Sequence, residues 1–428
     1  MPILKFILGC LYPLARFALF IARVRHGSST FEERLGVYRE IPMDGPKGPH
    51  VWLHAASAGE VNAILPLVKA LRFRRPDLHL TITTTSRTGR KMAKERAGAD
   101  RVHLAPLDIP LCLTRAFDSI RPDLYLVAET EFWPLCLLEA KRREVPTILV
   151  NGRVSNKSFP TYRMVRFLFR DALESFAACL VQAPVDRDRV IALGARRGGV
   201  EVIGQMKYDL SPPDPEKVRA FADRLGIREG EAVFTFGSLR PGEEEPVLEG
   251  LGLLFDALPQ ARVILAPRHF DHLKYYQEAL DGLTRARSLE WALRSGVKSP
   301  SWRVLVLDTV GDLASAYALS RATFVGGTLV PIGGHNVMEP ALSSVPVCFG
   351  PYLSNVAEAA EALGASGGGQ KVATAQAVME WMASLGDPNV SHEAGLKARA
   401  AVDSLRGATD RTAERVLRFL QTRSKVAS

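Results

Sequence analysis

The sequence predicts an α/β protein of two Rossmann-like domains facing a cleft. Three observations carry that prediction. At 428 residues the chain is too long for one ordinary core. From residue 50 onward, short β-branched apolar runs alternate with helical patterns, the signature of βαβ units on a parallel sheet. The stretch MKYDLSPPDPEK (206–217) then interrupts the alternation with three prolines, which fit neither a strand nor a helix interior. A composition of 47% hydrophobic and 24% charged residues excludes a largely disordered chain.

Taken in order, residues 1–30 open with an apolar run that also holds Lys5, Pro13 and Arg16 and ends at Arg23, Arg25 and His26. No small-residue cleavage site precedes the basic cluster, which argues against a secretory signal; the segment reads as a membrane anchor or interfacial helix, with an ordinary helix packed on the body as the alternative. The basic flank puts the downstream domains on the cytoplasmic side. Residues 31–207 form the first Rossmann-like domain, with strands expected at 50–55, 78–85, 124–129, 146–151, 178–183 and 199–204 and a helix at 60–75. Residues 208–217 are read as a linker. Residues 218–405 form the second domain, with strands at 232–238, 261–267, 303–308, 322–327, 345–350 and 370–373, and 406–428 a C-terminal helix. Five scattered cysteines without a C-x-x-C pair argue against a disulfide framework and a zinc cluster. The net charge of +9 points to anionic partners without choosing among them.

Ligands of open α/β sheets bind at the carboxyl ends of strands, so the loops there are the candidate sites. HAASAGE (54–60) puts Glu60 at a helix start; it is either a general base or an acid complementing the helix dipole behind a Ser57 cap. AETEFWP (128–134) brings Glu129 and Glu131, with Arg153 and Lys157 from the next strand end; an active centre and a structural ion-pair cluster both stay open. Lys207, Arg268 and His269 add cations at further strand ends, a pattern suited to an anion. In GTLVPIGGHNVMEP (327–340), Asn336 and Glu339 have capping-box spacing, which leaves Gly333 and Gly334 unexplained. Those glycines, followed by His335, Asn336 and Val337 and a helix start, look like a phosphate cradle, with Glu339 available to ribose hydroxyls. No Walker loop and no G-x-G-x-x-G after the first strand support an ATPase or a dehydrogenase.

HAASAGE, ETEFWP, NGRVS, GQMKYD, GSLRPGEEE, APRH and VGGTLVPIGGHNVMEP, in that order and spacing, resemble the 3-deoxy-D-manno-octulosonic acid (Kdo) transferases of lipopolysaccharide assembly over nearly the whole chain. The resemblance implies a GT-B glycosyltransferase at the cytoplasmic face of the bacterial inner membrane, moving Kdo from CMP-Kdo to a lipid A precursor with inversion. It implies Glu60 as base, with Glu129 and Lys207 assisting. Arg268, His269, the turn of Thr309, Val310 and Gly311, and the region from Gly334 to Val337 would hold CMP. No metal and no cofactor beyond the donor substrate are expected. Two positions depart from the family pattern: Arg240 stands where histidine is usual, and Gly152 where alanine is common. Rival readings are a GT-B-like nucleotide-sugar epimerase or another membrane-associated glycosyltransferase, and a basic nucleic-acid-binding protein. The last lacks any zinc finger, helix-turn-helix or RNP-type aromatic motif, so no nucleic-acid partner is expected.

Overall fold

The computed structural model describes residues 28–38, 48–297 and 300–426. The chain divides into two compact units, one running to Asp209 and resuming at Arg406, the other spanning Leu210–Leu405. Most of the N-terminal segment read as a membrane helix lies outside the described residues. No described helix is long and apolar enough to cross a membrane.

The first unit holds a seven-stranded, all-parallel sheet. Its strands are β1 (His50–His54), β2 (His79–Thr84), β3 (Arg101–Leu104), β4 (Leu124–Ala128), β5 (Thr147–Gly152), β6 (Ala178–Val181) and β7 (Val200–Val202), in the order β3-β2-β1-β4-β5-β6-β7. Every residue of β1, β4, β5 and β6 is buried, as expected where helices cover both faces of a parallel sheet. The two-residue period sorts their side chains into two layers. Val51, Leu53, Leu124, Leu126, Ile148, Val150 and Leu180 pack with Val61, Ile64 and Val68 of the helix Ala58–Arg74. Trp52, Tyr125, Val127, Leu149 and Val181 pack on the opposite side with Phe117, Leu135 and Val190.

The last helix, Ala408–Val426, belongs to this first unit. It sets Ala413, Val416 and Leu420 into the layer beside Ala58–Arg74. The return is fastened at the crossing point, where the Asp209 carboxylate accepts the main-chain N–H groups of Gly407 and Thr409, both at 2.5 Å. Arg415 pairs with Glu201 at 2.6 Å and Arg74 with Asp410 at 2.6 Å.

The second unit repeats the plan with β8 (Val233–Leu239), β9 (Arg262–Pro267), β10 (Trp291–Leu293), β11 (Val304–Val306), β12 (Ala322–Val325), β13 (Val347–Phe349) and β14 (Gly369–Lys371), all parallel, in the order β10-β11-β9-β8-β12-β13-β14. Two strands, β3 and β10, were not expected from the sequence; each is short and sits at a sheet edge. The range read as linker is also shortened. Pro215 opens the helix Pro215–Leu225 behind an Asp214 cap whose side chain accepts the N–H of Glu216 at 3.0 Å. A proline at the first helical position forfeits no intrahelical bond, so this third proline starts an element instead of separating two.

The connections leave β1 and β4 in opposite directions, and likewise β8 and β12. Those two switch points are where an open α/β sheet parts its loops for a ligand.

Candidate functional site

At the first switch point, Ser57 caps the helix Ala58–Arg74 by accepting the N–H of Glu60, and the Glu60 carboxylate reaches back. One of its oxygens accepts the Ala56 N–H at 2.8 Å and the other the Ser57 hydroxyl at 3.0 Å. The capping role is therefore realised, and it also holds the carboxylate in one orientation. Burial raises the Glu60 pKa against the pull of the Ala56 N–H, and the charge of Glu131 raises it further.

Glu129 stands directly after β4 with φ of +52°, a left-handed backbone that costs a non-glycine residue of order 1 kcal/mol and persists where the surroundings impose it. Burial and the nearby Glu60 charge raise its pKa, while Arg153 and Lys207 pull it down. The structure thus brings Glu60, Glu129, Glu131, Arg153 and Lys207 into one electrostatic neighbourhood, and leaves Lys157 exposed. Lys207 rides on the turn Met206–Tyr208, with its ammonium 4.9 Å from the Tyr208 ring centre. The main-chain N–H of Met206 is held by the Asn151 side chain at 3.4 Å.

Glu131 differs from its neighbours. Burial pushes it up, but His54 and the Trp133 indole N–H, at 2.7 Å, outweigh that and hold it below the ordinary carboxylate range. His54 is 3% exposed; its Nδ1 meets the Thr83 hydroxyl at 3.0 Å and its Nε2 lies 3.7 Å from Glu131. His54, Trp52, Tyr125, Trp133, Cys136 and Asp108 line a pocket with room for about one water molecule.

Asp108 accepts the N–H groups of Leu135 and Cys136 at the start of the helix Pro134–Arg142, yet burial pushes its pKa up to about 6. A carboxylic acid whose folded pKa exceeds its unfolded value stabilises the fold while protonated, below about pH 4. It loses that contribution as pH rises through about 6. Chemical denaturation of wild type and Asp108→Asn at pH 4 and pH 7 is expected to show the wild type losing roughly 2–3 kcal/mol relative to the variant over that interval.

The second switch point gathers cations. Arg240, following β8, donates from Nε to His335 Nε2 at 3.0 Å and from Nη1 to His269 Nε2 at 2.6 Å. Burial, Arg240, Arg268 and His269 together lower the His335 pKa to about 4, so the ring is neutral and accepts. Burial raises Glu339, which the Asn336 side-chain amide, at 3.4 Å, and the Arg268 charge draw back down. Arg268, His269, His335, Asn336 and Glu339 thus come together. The turn of Thr309, Val310 and Gly311 follows β11, with the Thr309 hydroxyl on Asp312 at 2.7 Å and Val310 91% exposed.

Two expectations for the glycine loop change. Asn336 caps the N–H of Met338 at 3.1 Å, but Glu339 bonds the Asn336 side chain and not its main chain, so no reciprocal capping box forms. The N–H groups of Gly334 and His335 are already taken by the carbonyls of Gly327 and Gly326, at 2.7 and 3.2 Å, so they are not free to cradle a phosphate. The helix behind them is a single turn, Met338–Ala341. Gly333 and Gly334 are glycines because both have positive φ and a Cβ would meet Ser354 Oγ at 2.4 Å and Val356 Cγ2 at 2.9 Å, respectively.

Sequence reasoning missed Glu243 and His54. Glu243, fully buried, accepts the main-chain N–H groups of Arg240, Gly327, Thr328 and Leu329 at 3.1, 2.7, 2.9 and 2.8 Å, tying the loop after β8 to the loop after β12. Among the described residues, no group of three or more His, Cys, Asp or Glu side chains is placed to hold a metal ion.

The profile of the family described as 3-Deoxy-D-manno-octulosonic-acid transferase (kdotransferase) matches residues 29–210. A 3-deoxy-D-manno-octulosonic acid transferase from Bordetella pertussis is 31% identical over 392 residues, covering 89% of this chain and 88% of that one. One from Haemophilus influenzae is 30% identical over 329 residues, 76% of each chain. The chain spans about half the length of a bifunctional glycosyltransferase/methyltransferase from Fusobacterium nucleatum, with 30% identity over 73% of its own residues and 49% of the larger protein. Among solved structures, Acinetobacter baumannii MurG superposes with a TM-score of 0.54 at 13% identity, covering 86% of this chain and 99% of that one, which shows a shared GT-B-like fold of two parallel-sheet α/β domains. Aligned through both units at this level with enzymes of one name, the chain belongs to the 3-deoxy-D-manno-octulosonic acid transferases, a family of glycosyltransferases.

Proposed function

We propose that the protein transfers Kdo from CMP-Kdo to the hydroxyl of a lipid A precursor in lipopolysaccharide synthesis, by a single inverting displacement with Glu60 as general base. The observation that carries this reading is the half-buried carboxylate pair at the β1/β4 switch point of a chain that belongs to the Kdo transferases. A base must be ionised, fixed and next to the hydroxyl it deprotonates. The Ala56 N–H and Ser57 hydroxyl fix Glu60, and burial keeps its basicity above that of a solvated carboxylate. The Glu60 charge is one of the causes that raise the Glu129 pKa, so the two carboxylates are electrostatically linked. Arg153 and Lys207 moderate that effect.

As the bond from C2 of Kdo to the phosphate oxygen breaks, charge grows on the departing CMP. The guanidiniums of Arg268 and Arg240 oppose it, so the proposed reaction needs no metal and no cofactor. The inner membrane's cytoplasmic face is the proposed location, because an acylated acceptor resides in a bilayer and the chain opens on an apolar segment with a basic flank.

The test is incubation of the full chain with CMP-Kdo and a tetra-acylated lipid A precursor, followed by mass spectrometry. Product heavier by whole Kdo units is expected, and an unchanged acceptor would reject the reading. The rate should also rise with pH as Glu60 ionises. Glu131→Gln removes a like charge that raises the Glu60 pKa, so the acid limb of its pH–rate profile should move to lower pH. A limb that stays in place would show that Glu60 is not the titrating base.

A further inference from the structure

We infer that Arg240 is the residue that reads the carboxylate of the donor sugar, and so distinguishes an acidic sugar nucleotide from a neutral one. This rests on the proposed donor, whose sugar is an acid: CMP-Kdo presents two anions, the phosphodiester and the C1 carboxylate. The site offers two guanidiniums to match. The side-chain partners of Arg240 are the His335 and His269 rings, and the Arg268 charge acts on Glu339.

The partners of Arg240 are imidazole nitrogens, not carboxylates. His335 Nε2 takes Nε–H and His269 Nε2 takes one Nη1–H, so the guanidinium is held in one plane while its charge remains uncompensated. The depressed His335 pKa agrees with that division of roles. The remaining N–H groups on Nη1 and Nη2 form a fork whose spacing fits the two oxygens of a carboxylate. The main chain beneath is as fixed as the head, because the Arg240 N–H is one of those accepted by the buried Glu243 carboxylate. A positioned cation of this kind loses little rotamer entropy on binding, which favours it as a discriminator over a free surface lysine.

The two guanidiniums are not equivalent. The Arg268 charge acts on Glu339, the carboxylate expected to meet ribose hydroxyls, which places Arg268 on the nucleotide side. Arg240 bonds both imidazoles and stands next to the β8/β12 switch point, leaving it the sugar side. The lysine variant keeps the charge but has neither the fork nor the Nε–H that orients His335, so it separates charge from geometry.

The experiment is titration calorimetry of the full chain with CMP-Kdo and, separately, with CMP, for wild type, Arg240→Lys and Arg240→Ala, without acceptor. Wild type should bind CMP-Kdo more tightly than CMP. Arg240→Ala should weaken CMP-Kdo at least 30-fold and CMP less than 3-fold, with Arg240→Lys recovering part of the loss. Equal losses for both ligands would assign Arg240 to the phosphate and overturn the inference with the donor reading intact, as would no loss for either. Failure of the wild type to bind CMP-Kdo would reject the donor reading itself, and this inference with it. Should the alanine variant not fold, the lysine variant decides: CMP-Kdo weakened at least tenfold with CMP unchanged supports carboxylate reading, and a parallel change in both rejects it.

Discussion

Glu60→Gln is expected to leave CMP bound and to slow Kdo transfer by ~10²–10⁴-fold, the range that general base catalysis contributes. The substitution is nearly isosteric. The glutamine carbonyl can still accept the Ala56 N–H, so the helix start should survive with a loss of about 1 kcal/mol or less. That separation is what makes the variant informative, because Glu60 has a structural role in full view. If capping were its whole contribution, the melting temperature would fall while the rate stayed within a few-fold of wild type. If it is the base, the rate collapses and the melting temperature hardly moves. Initial rates at saturating CMP-Kdo, together with thermal melts of the same preparations, decide between the two. A variant within threefold of wild type in rate would remove Glu60 from the mechanism.

Much of the fold was legible in the sequence because parallel sheets are written plainly. β1, β4, β5, β8 and β9 are buried on both faces, so each appears as a continuous apolar run of strand length, and the loops after them as breaks. β3 and β10 were not legible. Arg101–Leu104 and Trp291–Leu293 are edge strands of four and three residues, and at that length pattern cannot separate a strand from a turn. The return of Ala408–Val426 to the first unit was out of reach for a different reason. Its apolar stripe announces that it packs on something, and nothing local names a partner more than 300 residues away, as in the Arg74–Asp410 pair.

The site divides along the same line. Glu60 shows itself through the Ser57-x-x-Glu60 pattern at a strand end, and Arg240 through its departure from a family motif. His54 sits inside an apolar run and reads as core until the Thr83 hydroxyl and Glu131 are found beside it. The glycine loop misled in an instructive way. Gly333 and Gly334 are required, but by the packing of Ser354, Asn355 and Val356, and a sequence does not tell whether a missing Cβ admits a ligand or a neighbouring side chain. Glu243 was hidden best, inside a run of three glutamates at a helix start, where solvated acids favoured by the helix dipole are the ordinary expectation.

Glu243→Ala should therefore carry the largest stability effect of any single change considered. Its carboxylate accepts four main-chain N–H groups while fully buried, and these bonds are charge-assisted. Alanine would leave the amides of Gly327, Thr328 and Leu329 facing a void, along with that of Arg240. A buried donor without an acceptor costs about 1–3 kcal/mol, and the four will not add in full because loops relax and water enters. The expected loss is ~3–5 kcal/mol, the scale of removing one partner from a buried charged network. For a domain near 200 residues that lowers the melting temperature by roughly 10 °C. Glu243→Gln tests whether charge or shape matters: its NH₂ group would point donors at donors, so it should recover little of the loss, and a glutamine variant as stable as wild type would refute the account. The same break should reach the ligand. The Gly326 and Gly327 carbonyls hold the N–H groups of His335 and Gly334, so loosening the loop after β12 lets the Arg240–His335 pair drift, and donor affinity should fall together with stability.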